Sequence, residues 1–298
     1  MISIKDILKE SKKEIWLPGN LSCPGCAASL GLRYLARALN GKGEFYVVIP
    51  AGCSSVIQGI WPYSSAKFSI INCAFASSAA VATGLSRAFK FRKKKANVVV
   101  WAGDGGSADI GLATLSGAAE RNEDILYIMY DNEAYMNTGI QRSSQTPFKA
   151  STTTTPFGKE EEKKDMDLIM MAHGVYTATA SPAFPLDFFE KIRKALSIKG
   201  FKFIHYFSPC PPGWRYPSEK TIEVARLAVQ SSVFILFEFY NGKVSISQPS
   251  IPYRDEKNRK PIEEYLKIQG RFKDIKKEDI EIMKQRINEK WKILEKFE

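Results

Sequence analysis

Unbroken apolar runs alternate with amphipathic stretches through the first part of the chain. The runs are bounded by glycine or polar turns and lie at Phe45–Pro50, Val98–Gly103, Ile125–Asp131 and Phe201–Phe207. Runs of this kind are typical of strands that helices cover on both faces. Helical patterns between the runs occupy Ala27–Leu39, Ala76–Phe89 and Ile110–Arg121. The alternation predicts an α/β fold with a mostly parallel sheet flanked by helices, and a ligand site beyond the carboxyl ends of the strands.

Two regions depart from this alternation. Thr138–Asp165 is rich in Ser, Thr and Lys and has no periodicity, which predicts a long functional loop or a mobile segment. Near the C-terminus, a helical pattern leads into a hairpin whose turn is Asn241-Gly242, and a charged helix follows. We therefore predict a main domain over residues 1–215 and a C-terminal extension over 216–298 that packs on the core or on a partner subunit.

Composition and charge narrow the function only slightly. The 298 residues are 44% hydrophobic and 25% charged, as in ordinary soluble globular proteins, and no apolar run is long enough to span a bilayer. The net charge of +11 fits a lysine-rich surface or an acidic protein partner, and the basic stripe with interleaved aromatics that favours nucleic acid is missing. The N-terminus, MISIKDILKESKKE, is charged and amphipathic, unlike a secretory signal. We expect a cytoplasmic protein with no membrane or nucleic-acid partner.

The sequence VVVWAGDGG predicts a strand that runs into a Gly-Asp-Gly turn. Glycines let backbone N–H groups approach a phosphate, and the following helix offers its positive N-terminal end. A carboxylate at Asp104 makes sense beside a phosphate if a divalent cation bridges them, because Mg²⁺ favours one or two carboxylates plus phosphate oxygens. The next strand ends at Asn132, which we expect to lie beside Asp104 as a second oxygen ligand. A GDG tripeptide alone is usually only a turn, but strand, GDG, helix, strand and Asn together form the thiamine-diphosphate binding pattern.

The five cysteines are too few for a disulfide scaffold. Cys23 and Cys26 form a CPGC knuckle, whereas Cys53 and Cys210 each follow a predicted strand as single cysteines. Four such thiolates could bind zinc or an iron–sulfur cluster, or could include a redox CxxC pair. Single ligands in separate loops favour a [4Fe–4S] cluster over zinc. Cys73, on the apolar approach to a helix, is interpreted as a small core residue.

Taken together, the motifs resemble the beta subunit of pyruvate:ferredoxin oxidoreductase and its relatives in the 2-oxoacid:ferredoxin oxidoreductase family. The resemblance runs nearly end to end and is carried by CPGC, AGCSS, GDGG with ADIG, DNEAYMNTG, STTTTP, SPCPPGW, EVARLAV and EEYLKIQGRF. It implies a thiamine-diphosphate-binding fold and the oxidative decarboxylation of pyruvate to acetyl-CoA and CO₂, with electrons passed to ferredoxin. The implied cofactors are thiamine diphosphate, Mg²⁺ and one [4Fe–4S] cluster, with coenzyme A as co-substrate. Two departures stand out, because the family's CxGCG is CPGCA here and its Gly-His is Gly19-Asn20.

The resemblance also implies roles for individual residues. The cluster ligands would be Cys23, Cys26, Cys53 and Cys210. The Mg²⁺ ligands would be Asp104, the Asn132 side chain and the Ala134 carbonyl. The cofactor-binding residues would be Gly52, Cys53, Ser54, Gly103, Asp104, Gly105, Gly106, Asn132, Asn137 and Thr138. Asn137 would lie beside the thiamine and contact the substrate as the catalytic residue, and both histidines, His173 and His205, are interpreted as structural.

One part of the expected active site cannot be assigned to this sequence. Thiamine activation needs a carboxylate near the aminopyrimidine, and in related enzymes that glutamate comes from a different domain or chain. We therefore expect an alpha subunit that supplies the glutamate and the substrate pocket. A small ferredoxin-like subunit, a gamma subunit and soluble ferredoxin as the acceptor complete the expected partners.

Other functions remain open on the sequence alone. The same chemistry could act on a branched-chain 2-oxoacid, on 2-oxoglutarate or, given the unusual Asn20, on oxalate. A cluster-free thiamine-dependent decarboxylase half would leave the four cysteines unexplained. A non-catalytic protein that binds zinc or nucleic acid would explain the charge and the cysteines but not the unit from GDG to Asn132.

Overall fold

The computed structural model describes residues 14–60 and 62–298, and the strands in these ranges form one eight-stranded sheet. The strands are β1 (Phe45–Pro50), β2 (Ser69–Cys73), β3 (Asn97–Gly103), β4 (Ile125–Asp131), β5 (Tyr176–Ala180), β6 (Phe201–Phe207), β7 (Phe237–Tyr240) and β8 (Lys243–Ile246). Their order is β2-β1-β3-β4-β6-β5-β7-β8, with β1 to β6 parallel and β7 and β8 antiparallel. The predicted α/β fold with a mostly parallel sheet is confirmed. The charged N-terminal segment, residues 1–13, lies outside the described residues.

Helices cover both faces of the sheet, as the alternation predicts. They are α1 (Ala27–Leu39), α2 (Cys53–Ile57), α3 (Ser78–Phe91), α4 (Leu112–Glu120), α5 (Met166–Ala172), α6 (Pro185–Ser197), α7 (Pro211–Trp214), α8 (Thr221–Gln230), α9 (Ile262–Lys267) and α10 (Lys277–Glu295). A short π-helix, Gly105–Asp109, follows β3 directly. Helices α1 and α6 pack on one face, and α3, α4 and α5 pack on the other.

Strand β3 shows why its sequence is almost uniformly apolar. Val99 and Trp101 belong to the core on the face of α1, whereas Val98 and Val100 belong to the core on the face of α3. Successive strand side chains point to opposite faces, so a strand buried on both faces has no polar alternation. This is the pattern from which the central strands were predicted.

Two strands were not predicted from the sequence. Strand β2 lies at an edge of the sheet and its side chains are exposed or half-buried, so it has no strong apolar run. Strand β5 is fully buried but reads YTATA, a short run of small residues and threonines. Cys73, expected on the approach to a helix, is the last residue of β2 and packs half-buried against the core on the face of α3.

The segment Thr138–Asp165 forms a packed loop without helix or strand. It folds around the ammonium group of Lys159, which is buried and donates to the backbone carbonyls of Ser144, Thr146 and Glu162 at 3.2, 2.7 and 3.0 Å. Three bonds to the ammonium group compensate for taking it out of water. The loop therefore has its own polar core, and it packs against the residues at the carboxyl end of β4, where Thr146 donates to the Glu133 carbonyl.

The C-terminal region joins the sheet and also packs beside it. The predicted hairpin is confirmed, since β7 and β8 pair across a turn in which Asn241 and Gly242 have φ of 52° and 79°. Side chains of α8 and α9 pack with Phe207 and Trp214 in a third hydrophobic core. The division of the chain at residue 215 stays a prediction.

Candidate active site

The carboxyl ends of β3 and β4 bring Asp104 and Asn132 together. The two strands pair in parallel with Gly103 opposite Tyr130, so the residues that follow each strand are neighbours. One terminal atom of the Asn132 side-chain amide, which is either its nitrogen or its oxygen, faces the site. This atom lies 2.9 Å from Asp104 Oδ1 and 2.8 Å from the Ala134 carbonyl oxygen. As an N–H₂ group this atom would donate to both oxygens; as the amide oxygen it would complete a group of three oxygens. Adjacent oxygen ligands of an octahedral Mg²⁺ are separated by about 3 Å, so the three residues fit this metal.

The surroundings of Asp104 also favour a cation. Its side chain is buried, and burial together with the nearby charge of Asp131 raises the pKa of Asp104 well above its usual range. Ser143 opposes this shift by donating its hydroxyl to Asp104 Oδ2 at 2.6 Å, and the charge of Lys163 also opposes it. A divalent cation would stabilise the ionised carboxylate far more strongly than these groups do.

The glycine turn after β3 lies against an aromatic wall. A side chain on Gly105 would overlap the ring of Tyr135, and one on Gly106 would come within 3.2 Å of Phe75. Tyr135 is held in place because its hydroxyl donates to Asp109 Oδ2 at 2.6 Å. Only glycine at Gly105 leaves both the ring and the backbone where they are, with the N–H groups uncovered for a phosphate.

A cavity of about 490 Å³ opens above this turn and is large enough for a cofactor. Its lining residues are Ala51, Gly52, Cys53, Phe75, Gly103, Asp104, Gly105, Gly106, Tyr130, Asn132, Ala134, Tyr135, Met136, Asn137 and Thr138. Every predicted cofactor-binding residue except Ser54 is in this set. Ser54 is buried behind the cavity, where its hydroxyl accepts a hydrogen bond from the Trp101 indole at 3.0 Å.

Several residues of the site escaped the sequence analysis. Tyr135 and Met136 belong to the same DNEAYM motif as Asn132, so the motif itself was the signal. Ser143 comes from the long loop, whose polar composition gave no reason to choose one serine over another. Phe75 lies between β2 and α3, and because β2 was not predicted, the sequence did not indicate that Phe75 reaches the cavity.

The predicted catalytic residue, Asn137, is exposed and lies on the cavity wall. Its neighbour Thr138 donates its hydroxyl to Gln141 Oε1 at 2.6 Å. Among the described residues that line the cavity, Asp104 is the only carboxylate. Glu133 is adjacent in sequence but points away, toward Lys163 and Arg271.

Cys23 and Cys26 line a separate cavity, and Cys53 connects the cysteines to the cavity above the glycine turn. Cys53 lines it at the start of α2, and the half-buried Cys26 and Cys210 precede α1 and α7. Burial, and then the neighbouring thiols of Cys26 and Cys23, raise the pKa of Cys53 to about 12. The pKa of Cys210 is likewise raised to about 12, mainly by burial and further by the other three thiols. The four predicted ligands are therefore close enough to interact electrostatically.

This arrangement does not by itself amount to a metal site. Within residues 14–60 and 62–298, no three or more His, Cys, Asp or Glu side chains are placed so that they could hold a metal ion. The thiols fit a cluster by residue type and by their shared location, and the cluster itself stays a prediction.

The two histidines lie outside the cavity lining. His205 is buried between two carboxylates, with Nε2 at 2.8 Å from Asp131 Oδ2 and Nδ1 at 2.8 Å from Asp167 Oδ1. Burial opposes its protonation, but the two carboxylates prevail and raise the pKa of His205 to about 9. His173 Nε2 lies 3.0 Å from the hydroxyl of Ser116.

Comparison with known proteins agrees with this geometry. Residues 50–206 match the family described as thiamine pyrophosphate enzyme, C-terminal TPP binding domain. The chain is 49% identical to the ketoisovalerate oxidoreductase subunit VorB of Pyrococcus abyssi, over 98% of each chain. It is 47% identical to the pyruvate synthase subunit PorB of Methanocaldococcus jannaschii, over 97% of this chain and 99% of the relative.

A solved structure is also similar to this chain. The 2-oxoglutarate:ferredoxin oxidoreductase from Magnetococcus marinus, with 2-oxoglutarate, coenzyme A and succinyl-CoA bound, is similar with a TM-score of 0.58 and 28% identity. The similarity covers 70% of this chain and 77% of that one. In the part of the chain that the structure describes, no helix combines the length and the apolar character needed to cross a membrane.

Proposed function

Because the chain belongs to the beta subunits of the 2-oxoacid:ferredoxin oxidoreductases, we propose that it binds Mg²⁺–thiamine diphosphate and one [4Fe–4S] cluster for the oxidative decarboxylation of pyruvate. The observation that carries the proposal is the convergence of Asp104, Asn132 and the Ala134 carbonyl at the base of a cavity. These oxygen ligands would hold the metal against the diphosphate, while the glycine turn would present its backbone N–H groups to the phosphate oxygens.

The residues around the cavity would orient the cofactor and keep water away from it. Phe75, Tyr130 and Tyr135 form apolar walls, and Asn137 would contact the substrate at the cavity wall. Thiamine diphosphate, when bound, supplies the carbanion that attacks the 2-oxo carbon and the ring that takes up the resulting electrons. This chain contributes binding, orientation and exclusion of water to that chemistry.

The cysteines would give electrons a route out of the cavity. Cys53 lines the cavity and also neighbours Cys23, Cys26 and Cys210 in the proposed cluster site. A bound [4Fe–4S] cluster supplies a one-electron acceptor. Its position beside the cavity supports transfer to ferredoxin, and the relatives are subunits of oxidoreductases of this type.

Other subunits would complete the active site. Asp104, the one carboxylate among the described residues of the cavity lining, is committed to the metal in this proposal. The activating glutamate and most of the substrate pocket would therefore come from an alpha subunit. A gamma subunit and a ferredoxin-like subunit complete the proposed assembly. Coenzyme A is the proposed co-substrate, and the coenzyme A bound in the Magnetococcus marinus structure supports this role. A cytoplasmic location remains part of the proposal.

A branched-chain 2-oxoacid is the second candidate substrate. The ketoisovalerate relatives from Pyrococcus are 48 to 49% identical to this chain, and the pyruvate synthase relative from Methanocaldococcus jannaschii is 47% identical. Differences this small do not separate the two acids, and both relatives align almost end to end.

The test is anaerobic viologen reduction by the natively purified complex. Pyruvate, 2-oxoisovalerate, 2-oxoglutarate and oxalate are offered separately, each with and without coenzyme A. We expect pyruvate to be oxidised fastest and only in the presence of coenzyme A. Faster oxidation of 2-oxoisovalerate would replace pyruvate by the second candidate. No reduction with any acid, from a preparation shown to hold thiamine and iron, would remove the proposed activity.

A further inference from the structure

The short segment that carries Asn132 and Ala134 has an unusual backbone. Glu133, which lies between them, has a φ of +65°, in the left-handed region that a residue with a Cβ rarely adopts. Such a conformation persists only when surrounding contacts determine it. We call residues 131–134, which carry two of the proposed Mg²⁺ ligands, the metal-binding turn.

Three backbone polar groups at the centre of the metal-binding turn are each bound by a particular side chain. The N–H of Glu133 donates to Asp131 Oδ1 at 3.0 Å, and its carbonyl accepts from the hydroxyl of Thr146 at 2.7 Å. The carbonyl of Asn132 accepts from the indole N–H of Trp214 at 2.8 Å. Two of these three contacts come from outside β4, from the long loop and from α7.

One residue of the C-terminal region holds this arrangement together. Arg271 is 3% exposed, and its Nη2 lies 2.7 Å from Glu133 Oε2, which is also 3% exposed. Its guanidinium carbon lies 3.7 Å from the centre of the Trp214 ring, close enough for a strong cation–π contact. Arg271 Nε also donates to Gln269 Oε1 at 2.9 Å. Arg271 thus contacts both the carboxylate of the metal-binding turn and the indole that binds the Asn132 carbonyl.

We infer that Arg271 is a positioning residue for metal and diphosphate binding, acting through Glu133 and Trp214 on the two oxygens that Asn132 and Ala134 offer. The inference rests on the proposed function, because it takes these oxygens to be Mg²⁺ ligands. It assigns to the region after residue 215 a direct part in cofactor affinity. The unit from GDG to Asn132 that predicts the cofactor does not contain Arg271, and EEYLKIQGRF, which does, entered only as part of the family resemblance.

The charges around Glu133 explain why this contact matters. Its carboxylate is bound by Lys163 at 2.9 Å as well as by Arg271. Lys163 also lies 2.5 Å from Asp131, so it is shared between two carboxylates, whereas Glu133 is the one carboxylate that pairs with Arg271 among the described residues. Without Arg271, the buried carboxylate of Glu133 would keep only Lys163, which it shares with Asp131, as an ion-pair partner. The turn would then move to bring Glu133 closer to water. Outer contacts of this kind are typically worth about 10- to 100-fold in metal affinity.

The test measures cofactor affinity rather than turnover. In the natively assembled complex, stripped of thiamine diphosphate and Mg²⁺, the dissociation constant of each is titrated with the other saturating. We expect Arg271→Met to weaken Mg²⁺ binding by about 10-fold or more. Trp214→Phe, which removes the N–H donor but keeps an aromatic ring, should give a smaller shift in the same direction. Arg254→Met is the matched control, because Arg254 lies in the same region and pairs at the surface with Glu295 and Glu298.

The outcomes separate the inference from the proposed function. A variant with Asp104→Ala that binds thiamine diphosphate normally would remove the metal site and the inference with it. If Asp104→Ala abolishes binding but Arg271→Met and Trp214→Phe bind Mg²⁺ as the unchanged complex does, the inference alone is wrong. A lower melting temperature in Arg271→Met with unchanged dissociation constants would show a structural role and would also overturn it. If Arg271→Met does not assemble, Trp214→Phe decides the matter, with a weakened Mg²⁺ affinity in support and an unchanged one against.

Discussion

The metal-binding turn and the cysteine group lie side by side, yet they differ in how completely the chain builds them. Around the turn, the central backbone groups and the Glu133 carboxylate have specific buried partners, among them Thr146, Trp214 and Arg271. Around the cysteines, Cys23 is exposed, and burial together with the neighbouring thiols raises the pKa of Cys53 and the pKa of Cys210. The metal-binding turn is therefore organised before anything binds. In the cysteine group, by contrast, ionisation of the thiols becomes favourable only when a cation or cluster stabilises the thiolates.

The difference follows from where each group lies in the fold. The metal-binding turn extends from β4 in the middle of the sheet and is enclosed by the long loop and the C-terminal region. The CPGC knuckle precedes α1 and touches the start of α8 at Gly25, which has a φ of +70°. The α-carbon of Gly25 faces the carbonyl of Ser218, and its own carbonyl accepts from the hydroxyl of Thr221 at 2.7 Å. A side chain at Gly25 would overlap the Ser218 carbonyl, so the knuckle depends on glycine for its close approach to the chain around residues 218–221.

The largest effect is expected from removing the charge at the centre of the organised site. Asp104→Asn keeps the size of the side chain but loses the carboxylate, so thiamine diphosphate affinity should fall by more than about 100-fold, beyond what outer contacts contribute. Iron content should not change. Equilibrium dialysis and iron analysis of the same preparation measure both quantities, with Asp274→Asn at the exposed surface as the control. Normal thiamine content in Asp104→Asn would mean that the carboxylate is not a metal ligand.

Changing one cysteine should act on the other site alone. Cys210→Ser removes one proposed thiolate, and we expect about four fewer iron atoms for each chain, with thiamine diphosphate binding retained. Cys73→Ser is the matched control, because Cys73 is also half-buried but lies at the end of β2. If Cys73→Ser loses iron and Cys210→Ser keeps it, Cys210 is not the fourth ligand and Cys73 is.

The same contrast explains how much the sequence could predict. Contiguous motifs predicted the central strands, the glycine turn and the pairing of Asp104 with Asn132, because each depends on local pattern and on the order of adjacent strands. Ser143, Trp214 and Arg271 are brought to the site by a loop and by distant packing, and no local pattern marks contacts across more than 80 residues, such as that of Arg271 with Glu133. The strand β5 was missed for a related reason, since its small residues are buried by neighbours that the sequence does not specify.

The buried charges beneath the metal-binding turn should make stability depend on pH. The pKa of His205 is about 9 in the folded chain and about 6.5 when unfolded, so its ion pairs stabilise the fold fully below about pH 6.5. This contribution is lost as pH rises through 9, and it amounts to at most about 3 kcal/mol. His205→Gln should flatten the fall in melting temperature between pH 7 and 9, whereas His173→Gln should keep it. An equally steep fall in His205→Gln would assign the pH dependence to another group.

The smallest effect we expect comes from a single methyl group at the glycine turn. Gly105→Ala would push against the Tyr135 ring, which Asp109 holds by a 2.6 Å hydrogen bond, so the ring or the backbone N–H groups must shift. We expect thiamine diphosphate affinity to fall by about 10-fold, equivalent to about 1.4 kcal/mol, with iron content unchanged. Gly84→Ala is the control, because Gly84 is exposed in α3 with open space beside it, and alanine there should stabilise the helix by about 1 kcal/mol. If Gly105→Ala binds the cofactor as tightly as Gly84→Ala does, the glycine turn and the Tyr135 ring can shift without loss of binding. The preorganisation of this site would then rest on the metal-binding turn alone.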